Sequence, residues 1–372
     1  MKKKVLLAFF VLLAGITVVN QMPVQAAQTQ PTKKELKKQV DQMTLEEEIG
    51  QMYAVPSNGD PQAMKQAIKQ YHLGGLVLFA RDLAQQKRPE FQQKIAAYQT
   101  AAQIPLLIGT DQEGGSVSRL SVNPNLTGGQ SFPAPKTIYD QYGFNGSEDL
   151  SRKTAQALHQ LGINWNFSPV VDVTSDHKSF IFDRTLGQNY DQTANYAVRV
   201  VRGMQSAKVA ATLKHFPGYG SAADTHTGLA TTKRPLSQFQ HDDFLPFRAG
   251  IRMGVDSIMV AHIIATNIDD KYPASLSPAA HRILRKELDF KKVIVSDDLG
   301  MGAIKEFARQ QKISADVQAV KAGNDIIMSR NYATGTPAIA KAVQQGEIPR
   351  SQIDQSVYRI LKMKRELGLL HQ

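Results

Sequence analysis

Short apolar runs alternate with amphipathic stretches along most of the chain. Eight of these runs, each four to eight residues long, are rich in Val, Ile and Leu and lack strict apolar–polar alternation. That pattern is typical of strands buried on both faces of a parallel sheet. The runs cover residues 49–55, 75–79, 106–110, 166–173, 209–213, 257–261, 293–296 and 325–328.

Helical periodicity and capping signals occupy the intervals between the apolar runs. Thr44, with Glu47 three residues later, matches a capping box, which predicts that a helix begins there. Ser277 followed by Pro278 supplies an N-cap and a proline in the first turn of another helix. The clearest helices are predicted at residues 35–42, 149–161, 192–206, 278–288, 315–322 and 352–369.

Eight strand–helix units predict the fold class α/β, as a single (β/α)8 TIM-type barrel. The units occupy about 320 residues, which fits a barrel better than a doubly wound sheet. The Pro- and Gly-rich stretch 124–135 is predicted to be a long loop, because strand–helix alternation resumes after it. Trp165, next to the fourth run, is predicted to lie in the core.

The first 26 residues have the three parts of a secretory signal peptide. Three lysines at positions 2–4 precede an apolar stretch at 5–19, and a small-residue cleavage pattern ends at Ala26. The apolar stretch is shorter than the roughly 20 residues that span a bilayer, although an uncleaved anchor is the alternative. We therefore expect a secreted, extracellular protein of the cell-wall space, without stable membrane insertion, whose single domain covers residues 27–372.

Composition narrows the classes of partner. The sequence has no cysteine, which excludes disulfides, thiolate metal sites and a cysteine nucleophile. The formal net charge of +11 includes the three lysines of the signal segment, so the remainder carries about +8. Lys and Arg are scattered and form no aromatic-interleaved stripe, so we expect no nucleic-acid partner, only a weak electrostatic attraction to anionic cell wall.

Ionisable side chains follow four of the apolar runs, where the predicted strands end. In a (β/α)8 barrel these positions meet at the carboxyl-terminal face, which is where catalysis takes place. Carboxylates together with His, Lys and Arg at such positions indicate hydrolysis of a polar substrate. The four groups are Asp111 with Glu113, Lys214 with His215, His262, and Asp297 with Asp298.

Two kinds of hydrolytic site are compatible with these side chains. A metal site could draw on several imidazoles and carboxylates, although the sequence has neither a His-x-His pair nor a His-Glu-x-x-His motif. The alternative is glycoside chemistry, in which one carboxylate attacks the anomeric carbon and a second group protonates the departing oxygen. That alternative needs no metal and no cofactor, and we expect none. The metal candidates are His215, His226, His262, Asp111 and Asp297.

Four motifs in separate parts of the chain occur in an order and spacing that is typical of one enzyme family. They are Asp-Gln-Glu-Gly-Gly at 111–115, Lys-His-Phe-Pro-Gly-Tyr-Gly at 214–220, Asp-Thr-His at 224–226 and Ser-Asp-Asp-Leu at 296–299. In order and spacing they resemble the glycoside hydrolase family 3 β-N-acetylhexosaminidases, over essentially the whole chain after residue 26. The resemblance implies a retaining enzyme that removes terminal β-linked N-acetylglucosamine from a carbohydrate, either muropeptides and peptidoglycan fragments or chito-oligosaccharides.

The resemblance also implies the catalytic residues. Asp297 corresponds to the nucleophile that forms a covalent glycosyl-enzyme, and the adjacent Asp298 is the other candidate for this role. Adjacent strand residues point to opposite sides, so only one of the two readily enters the site. His226, held by Asp224, corresponds to the proton donor: the carboxylate fixes one imidazole nitrogen while the other faces the leaving oxygen.

Further positions carry over as contacts to the substrate. Carboxylates accept hydroxyl protons, and cationic side chains donate to sugar oxygens. The role of His262, either lining the site or hydrogen-bonded in the core, is left open. Ser116 and Tyr219 stand where many relatives have an arginine and a second histidine. We expect these two differences to change which sugar is accepted on the leaving-group side. The implied contacts are Asp111, Arg119, Arg184, Lys214 and His215.

Other functions remain as alternatives at this stage. They are a β-glucosidase of the same family, phosphorolysis in place of hydrolysis, a metal-dependent amidohydrolase on the same barrel, and a wall-binding protein without turnover. The segment 217–234 is predicted to be mobile, because it is long, contains three glycines and has no apolar period.

Overall fold

Eight parallel strands form a closed barrel in the computed structural model, which describes residues 30–226 and 228–370. Each strand pairs with its neighbours in sequence, and the last strand pairs with the first. The predicted (β/α)8 barrel is therefore confirmed, while the predicted signal segment 1–26 lies outside the described residues. The strands are β1 (Tyr53–Pro56), β2 (Gly75–Leu78), β3 (Leu107–Thr110), β4 (Trp165–Asn166), β5 (Ala210–Phe216), β6 (Ser257–Val260), β7 (Val293–Asp298) and β8 (Ile326–Met328).

Helices lie before, between and after the strands. The predicted helix at 315–322 is found with those limits, and the one at 278–288 is divided between the helix Pro278–Arg282 and the π-helical turn Ile283–Glu287. Within the described ranges, none of the helices has the length and apolarity needed to cross a bilayer. The helices are α1 (Lys33–Asp41), α2 (Leu45–Gln51), α3 (Pro61–Tyr71), α4 (Ala80–Leu83), α5 (Arg88–Ala101), α6 (Pro135–Gln160), α7 (Tyr190–Ser206), α8 (Leu236–His241), α9 (Phe244–Met253), α10 (Pro278–Arg282), α11 (Gly302–Gln311), α12 (Ala315–Ala322), α13 (Tyr332–Gln344) and α14 (Arg350–Glu366).

The first apolar run contains a helix end as well as a strand. The Thr44 hydroxyl accepts from the Glu47 N–H at 3.2 Å, and the Glu47 carboxylate accepts from the Thr44 N–H at 2.9 Å. This capping box starts α2, whose last turn takes residues 49–51, so β1 begins only at Tyr53. The predicted strand 49–55 was therefore too long at its start, because apolar residues on a buried helix face resemble a buried strand.

The fourth apolar run is also divided. Strand β4 ends at Asn166. The Asn166 side-chain amide pairs with the backbone of Gln112: it accepts from the Gln112 N–H and donates to the Gln112 carbonyl, both at 2.9 Å. The rest of the predicted strand, residues 167–173, is mostly irregular. This segment stays hydrogen-bonded to β5, since the Thr212 and Lys214 N–H groups donate to the Ser168 and Pro169 carbonyls, and it brings Asp172 beside His215.

Trp165 lies fully buried in the barrel interior, as predicted. Its indole N–H lies 2.9 Å from the Thr212 hydroxyl and 3.0 Å from the Ser257 hydroxyl. Its ring meets Phe167 edge-on with centroids 4.6 Å apart. Position 109 on β3 must be glycine, because a Cβ there would lie 2.7 Å from the Phe167 ring. The tryptophan therefore links three strands beneath the carboxyl-terminal face.

Candidate active site

A buried lysine at the end of β5 joins two carboxylates. Lys214 Nζ lies 2.7 Å from Asp111 Oδ1 and 2.6 Å from Glu113 Oε1, and its side chain is 1% exposed. A buried ammonium requires such partners, because an unpaired charge in the interior is strongly destabilising. The first two motifs of the sequence therefore meet in space although they lie about 100 residues apart in the chain.

Two arginines extend this ion-pair network. Arg184, on the short helical turn Phe182–Arg184 after β4, binds both oxygens of Glu113 at 2.9 and 2.8 Å. Arg119 Nη2 lies 3.6 Å from Asp111 Oδ2. Four of the five predicted substrate contacts therefore share one cluster, although the guanidinium of Arg184 is already engaged with Glu113 by two hydrogen bonds.

The network keeps its members ionised. Burial alone raises the pKa of Asp111, but the charges of Lys214 and Arg119 outweigh it and lower the pKa to about 2. Burial favours the neutral form of Lys214, yet the two carboxylates raise the pKa of its ammonium above the ordinary value. The site consequently offers fixed acceptors and fixed donors side by side, which suits a ligand with many hydroxyl groups.

The fifth predicted contact, His215, is held by a carboxylate that the sequence analysis did not select. Asp172 Oδ2 lies 2.8 Å from His215 Nδ1 and accepts from the His215 backbone N–H at 3.1 Å. The other oxygen accepts from the Tyr219 N–H at 2.8 Å. This arrangement places the proton of a neutral His215 on Nδ1, which leaves Nε2 as the acceptor of the ring.

Strand β7 ends at Asp297 and Asp298, which have different surroundings. Burial raises the pKa of Asp297, but the neighbouring His262 and His215 reverse this and lower it below the usual aspartate range. Asp298 Oδ1 instead accepts from the Gly300 N–H at 2.8 Å, and burial raises its pKa. Asp297 therefore favours the ionised form, and Asp298 stabilises the turn that follows the strand.

His262 is fully buried and hydrogen-bonded at both nitrogens. Nδ1 lies 2.7 Å from the Ser275 hydroxyl, and Nε2 lies 2.9 Å from the Asp298 carbonyl. Since a carbonyl only accepts, Nε2 donates to it. Burial lowers the pKa of His262, and the hydrogen bond to the Asp298 carbonyl fixes the ring beneath the Asp297–Asp298 turn.

The segment 217–234, named here the His226 loop, carries the Asp-Thr-His motif. His226 Nδ1 lies 2.7 Å from Asp224 Oδ1, and the same oxygen accepts from the His226 backbone N–H at 2.9 Å. The His226 side chain is 59% exposed. Between them Thr225 is buried: its hydroxyl lies 2.6 Å from the Tyr219 hydroxyl, and its carbonyl accepts from the Ala303 N–H at 3.3 Å. The predicted pair therefore exists, on a loop fastened at its centre by Thr225.

The structure groups the predicted residues unevenly. Asp111, Arg119, Arg184 and Lys214 share the ion-pair network, whereas Asp224 and His226 pair with each other on the His226 loop. Across the described part of the chain, no three His, Asp or Glu side chains converge in a way that would hold a metal ion.

Glu113 and Asp172 were given no role from the sequence, although Glu113 is among the ionisable residues that follow the third apolar run. Glu113 stands inside the first motif, and Asp172 is the next-to-last residue of the fourth apolar run. A search for every carboxylate within an apolar run or up to three residues after it would have found both.

Comparison with known proteins places the chain in a family. The model of the glycosyl hydrolase family 3 N-terminal domain matches residues 44–363. The β-hexosaminidase LpqI of Mycobacterium tuberculosis is 34% identical over 272 residues, which cover 70% of this chain and 68% of that protein. A β-hexosaminidase of Xylella fastidiosa is 35% identical over 239 residues, which cover 63% of this chain and 69% of the Xylella protein.

Solved structures agree with the sequence relatives. A glycoside hydrolase family 3 β-N-acetylglucosaminidase from Paenibacillus superposes with a TM-score of 0.80 at 32% identity, over 88% of this chain and 63% of that one. This chain therefore spans less than two thirds of the Paenibacillus protein. The structure of M. tuberculosis LpqI gives a TM-score of 0.80 at 28% identity, over 91% of this chain and 97% of that one. With a barrel of eight strands and a polar carboxyl-terminal face, the chain belongs to glycosyl hydrolase family 3 and is a glycoside hydrolase acting on O-glycosyl bonds.

Proposed function

We propose that this enzyme is a retaining exo-β-N-acetylglucosaminidase. Asp297 attacks the anomeric carbon of a terminal β-linked N-acetylglucosamine, and the bond to the leaving oxygen breaks as a covalent glycosyl-aspartate forms. Protonated His226 donates a proton to the leaving oxygen, and then as a base takes one from the water that hydrolyses the intermediate. Asp224 orients the imidazole and stabilises its charged form.

The observation that carries the proposal is the 2.7 Å contact between Asp224 and His226 Nδ1. It directs Nε2, the nitrogen not engaged with Asp224, away from the carboxylate. A histidine donor also avoids a second carboxylic acid near Asp297, whose low pKa suits an attacking carboxylate. The names of the Paenibacillus and M. tuberculosis relatives support the sugar and the bond.

The ion-pair network supports binding of the sugar hydroxyls. In this proposal Asp111 accepts hydroxyl protons, and Lys214, His215, Arg119 and Arg184 line the pocket with donors and one imidazole acceptor. Arg184 acts mainly through Glu113, because its bidentate ion pair fixes the carboxylate that also holds Lys214.

Secretion is a second part of the proposal, and it depends on the sequence of residues 1–26. Removal of this segment leaves residues 27–372 as one catalytic domain with a positive charge that favours anionic cell wall. Muropeptides and peptidoglycan fragments are then the substrates at hand, with chito-oligosaccharides as the chemical equivalent. Mass spectrometry of the protein from the culture medium should give an N-terminus at Ala27; a cell-bound, uncleaved protein would contradict secretion.

The reaction is tested by release of 4-nitrophenol from its β-N-acetylglucosaminide and, in parallel, from its β-glucoside. Wild type should hydrolyse the acetamido sugar alone, and Asp297→Asn and His226→Ala should each lower kcat at least about 100-fold. Asp298→Asn, which keeps an acceptor for the Gly300 N–H, and His241→Ala, on the exposed helix α8, are the matched controls.

Other outcomes select the alternatives. Preference for the glucoside would indicate a β-glucosidase, and formation of a glycosyl phosphate in phosphate buffer would indicate phosphorolysis. Activity that is lost to a chelator and restored by zinc would indicate a metal-dependent amidohydrolase. Binding of glycan without turnover would leave a wall-binding protein.

A further inference from the structure

Both ends of the His226 loop meet at one partly buried arginine. Arg234, the last residue of the loop, donates through Nη2 to the carbonyl of Gly218, the second residue, at 2.6 Å. Through Nη1 it donates to Asp243 Oδ2 at 2.7 Å, immediately before α9. The side chains of Arg234 and Asp243 are 18% and 1% exposed. One guanidinium therefore ties the start of the loop to its end and both to the barrel's helical layer.

The ion pair of Arg234 and Asp243 is closely packed on each side of the guanidinium. The Arg234 Cζ lies 4.2 Å from the centroid of the Phe239 ring. Gly218 adopts φ +123°, and a Cβ there would lie 2.0 Å from Asp243 Oδ1; a Cβ at Gly220 would lie 3.0 Å from Arg234 Cζ. Two of the loop's three glycines are thus explained by the approach of its backbone to this ion pair.

Asp243 depends on Arg234 for its charge. Its second oxygen, Oδ1, has no hydrogen-bond partner among the residues that the structure describes. Burial raises the pKa of Asp243 to about 7 even though Arg234 lowers it. The pair fixes the backbone of the His226 loop directly, because Arg234 binds Asp243 with one nitrogen and the Gly218 carbonyl with the other.

The base of the loop has further attachments beside that of Arg234. The Asn267 side chain donates to the carbonyls of Lys233 and Arg234 at 2.8 and 3.1 Å, and Thr231–Thr232 pairs with Ile264–Ala265. Nearer to His226, Thr225 attaches the loop through its hydroxyl to Tyr219 and through its carbonyl to the Ala303 N–H. The pair Arg234–Asp243 therefore acts at the base of the loop, apart from this central attachment.

We propose that Arg234 and Asp243 are positioning residues that close the base of the His226 loop and so hold His226 where it can protonate the leaving oxygen. The inference rests on the proposed function, because it assigns the pair a part in proton donation. It also distinguishes the pair from the ion-pair network around Lys214, which contacts the sugar side of the site.

The experiment compares two β-N-acetylglucosaminides that differ in their need for a proton. 2,4-Dinitrophenolate departs unprotonated, whereas the second sugar of N,N′-diacetylchitobiose departs only with a proton. For Arg234→Gln we expect kcat/KM to fall about 10- to 100-fold on diacetylchitobiose and less than about 3-fold on the dinitrophenyl glycoside. Arg234→Lys, which keeps the charge but lacks the planar fork, should lie between wild type and Arg234→Gln.

A matched control and a double variant separate positioning from general damage. Arg248 also lies over an aromatic ring, that of Phe244 at 5.8 Å, and bonds the Gln240 carbonyl outside the loop, so Arg248→Gln should leave both rates unchanged. If Arg234 acts through His226, adding Arg234→Gln to His226→Ala should lower the diacetylchitobiose rate no further.

Equal losses on both substrates, or additive losses in the double variant, would overturn the positioning role while leaving the proposed function intact. A wild-type enzyme inactive on both sugars would overturn the two together. Where Arg234→Gln does not fold, Asp243→Asn keeps an oxygen for Arg234 without the charge and should give the same selective loss at smaller size; an equal loss on both substrates overturns the role here too.

Discussion

Lys214 and Glu113 form an ion pair of 2.6 Å in which each side chain is only 1% exposed. Each member has a second partner of opposite charge, Asp111 for the lysine and Arg184 for the glutamate. The four side chains alternate in sign, so that removing any of them deprives a buried charge of a partner. Under the proposed function, substitutions in this network affect both substrate binding and stability.

Glu113→Gln should destabilise the folded protein by about 3–5 kcal/mol, because Lys214 and Arg184 keep their charges and lose a buried partner. Urea unfolding measures the change. The control is Glu347→Gln, which breaks the exposed pair with Lys321 and should cost less than about 1 kcal/mol. Similar values for the two variants would show that the buried network adds nothing to stability.

Asp172→Asn should lower kcat/KM by about 10- to 100-fold and destabilise the folded protein by about 1–3 kcal/mol. Three N–H groups, two from His215 and one from Tyr219, point at this carboxylate, and an amide offers only one acceptor oxygen to them. Asp176→Asn, on the exposed loop nearby, is the control and should keep wild-type kinetics. Unchanged turnover in Asp172→Asn would mean that the orientation of His215 is irrelevant to the reaction.

Lys364→Met should make stability less dependent on pH. Lys364 is fully buried, donates to Gln51 Oε1 at 2.7 Å, and burial lowers its pKa to about 7. Between that value and the ordinary lysine pKa of 10.5 the unfolded chain binds the extra proton, so wild-type stability rises with pH by up to about 1.4 kcal/mol per unit. The variant's stability relative to wild type should therefore be highest below pH ~7 and decline toward pH ~10.

Urea unfolding over this pH range tests the lysine prediction. Lys362→Met, on the same helix but partly exposed and paired with Glu366, should show no such trend. A relative stability of Lys364→Met that rises with pH would have the wrong sign and would mean that the folded protein holds Lys364 charged.

Amide exchange should divide the His226 loop into protected and unprotected parts. We expect Thr231–Thr232 and their partners to exchange as slowly as the barrel strands, and residues near His226 to exchange fast and become slower when an N-acetylglucosamine ligand is added. Mass-spectrometric hydrogen exchange resolves the two parts. Uniform protection of the whole loop, with and without ligand, would contradict the predicted mobility.

The barrel and the positions of Asp111, Lys214, His215 and Asp297 were predictable because each follows or ends a buried strand in one chain direction. Asp172 was not selected, because residues 166–173 resemble one buried strand throughout, whereas regular strand covers only Trp165–Asn166 and the Asp172 side chain binds His215 and Tyr219. The ion pair of Glu113 with Arg184 joins residues 71 positions apart, on the short strand Gln112–Gly114 and the helical turn Phe182–Arg184. Local pattern contains no information on such a contact, which is decided by how loops fold over a completed barrel.

Trp165 is the only tryptophan of the sequence, and it lies under the site with its indole N–H satisfied by two hydroxyls. Its intrinsic fluorescence therefore reports on water reaching the barrel interior and on little else. Loosening of the His226 loop leaves this emission unchanged, whereas opening of the barrel shifts it to longer wavelength. The protein thus contains its own optical probe, which separates a variant with a displaced loop from one with a disrupted barrel.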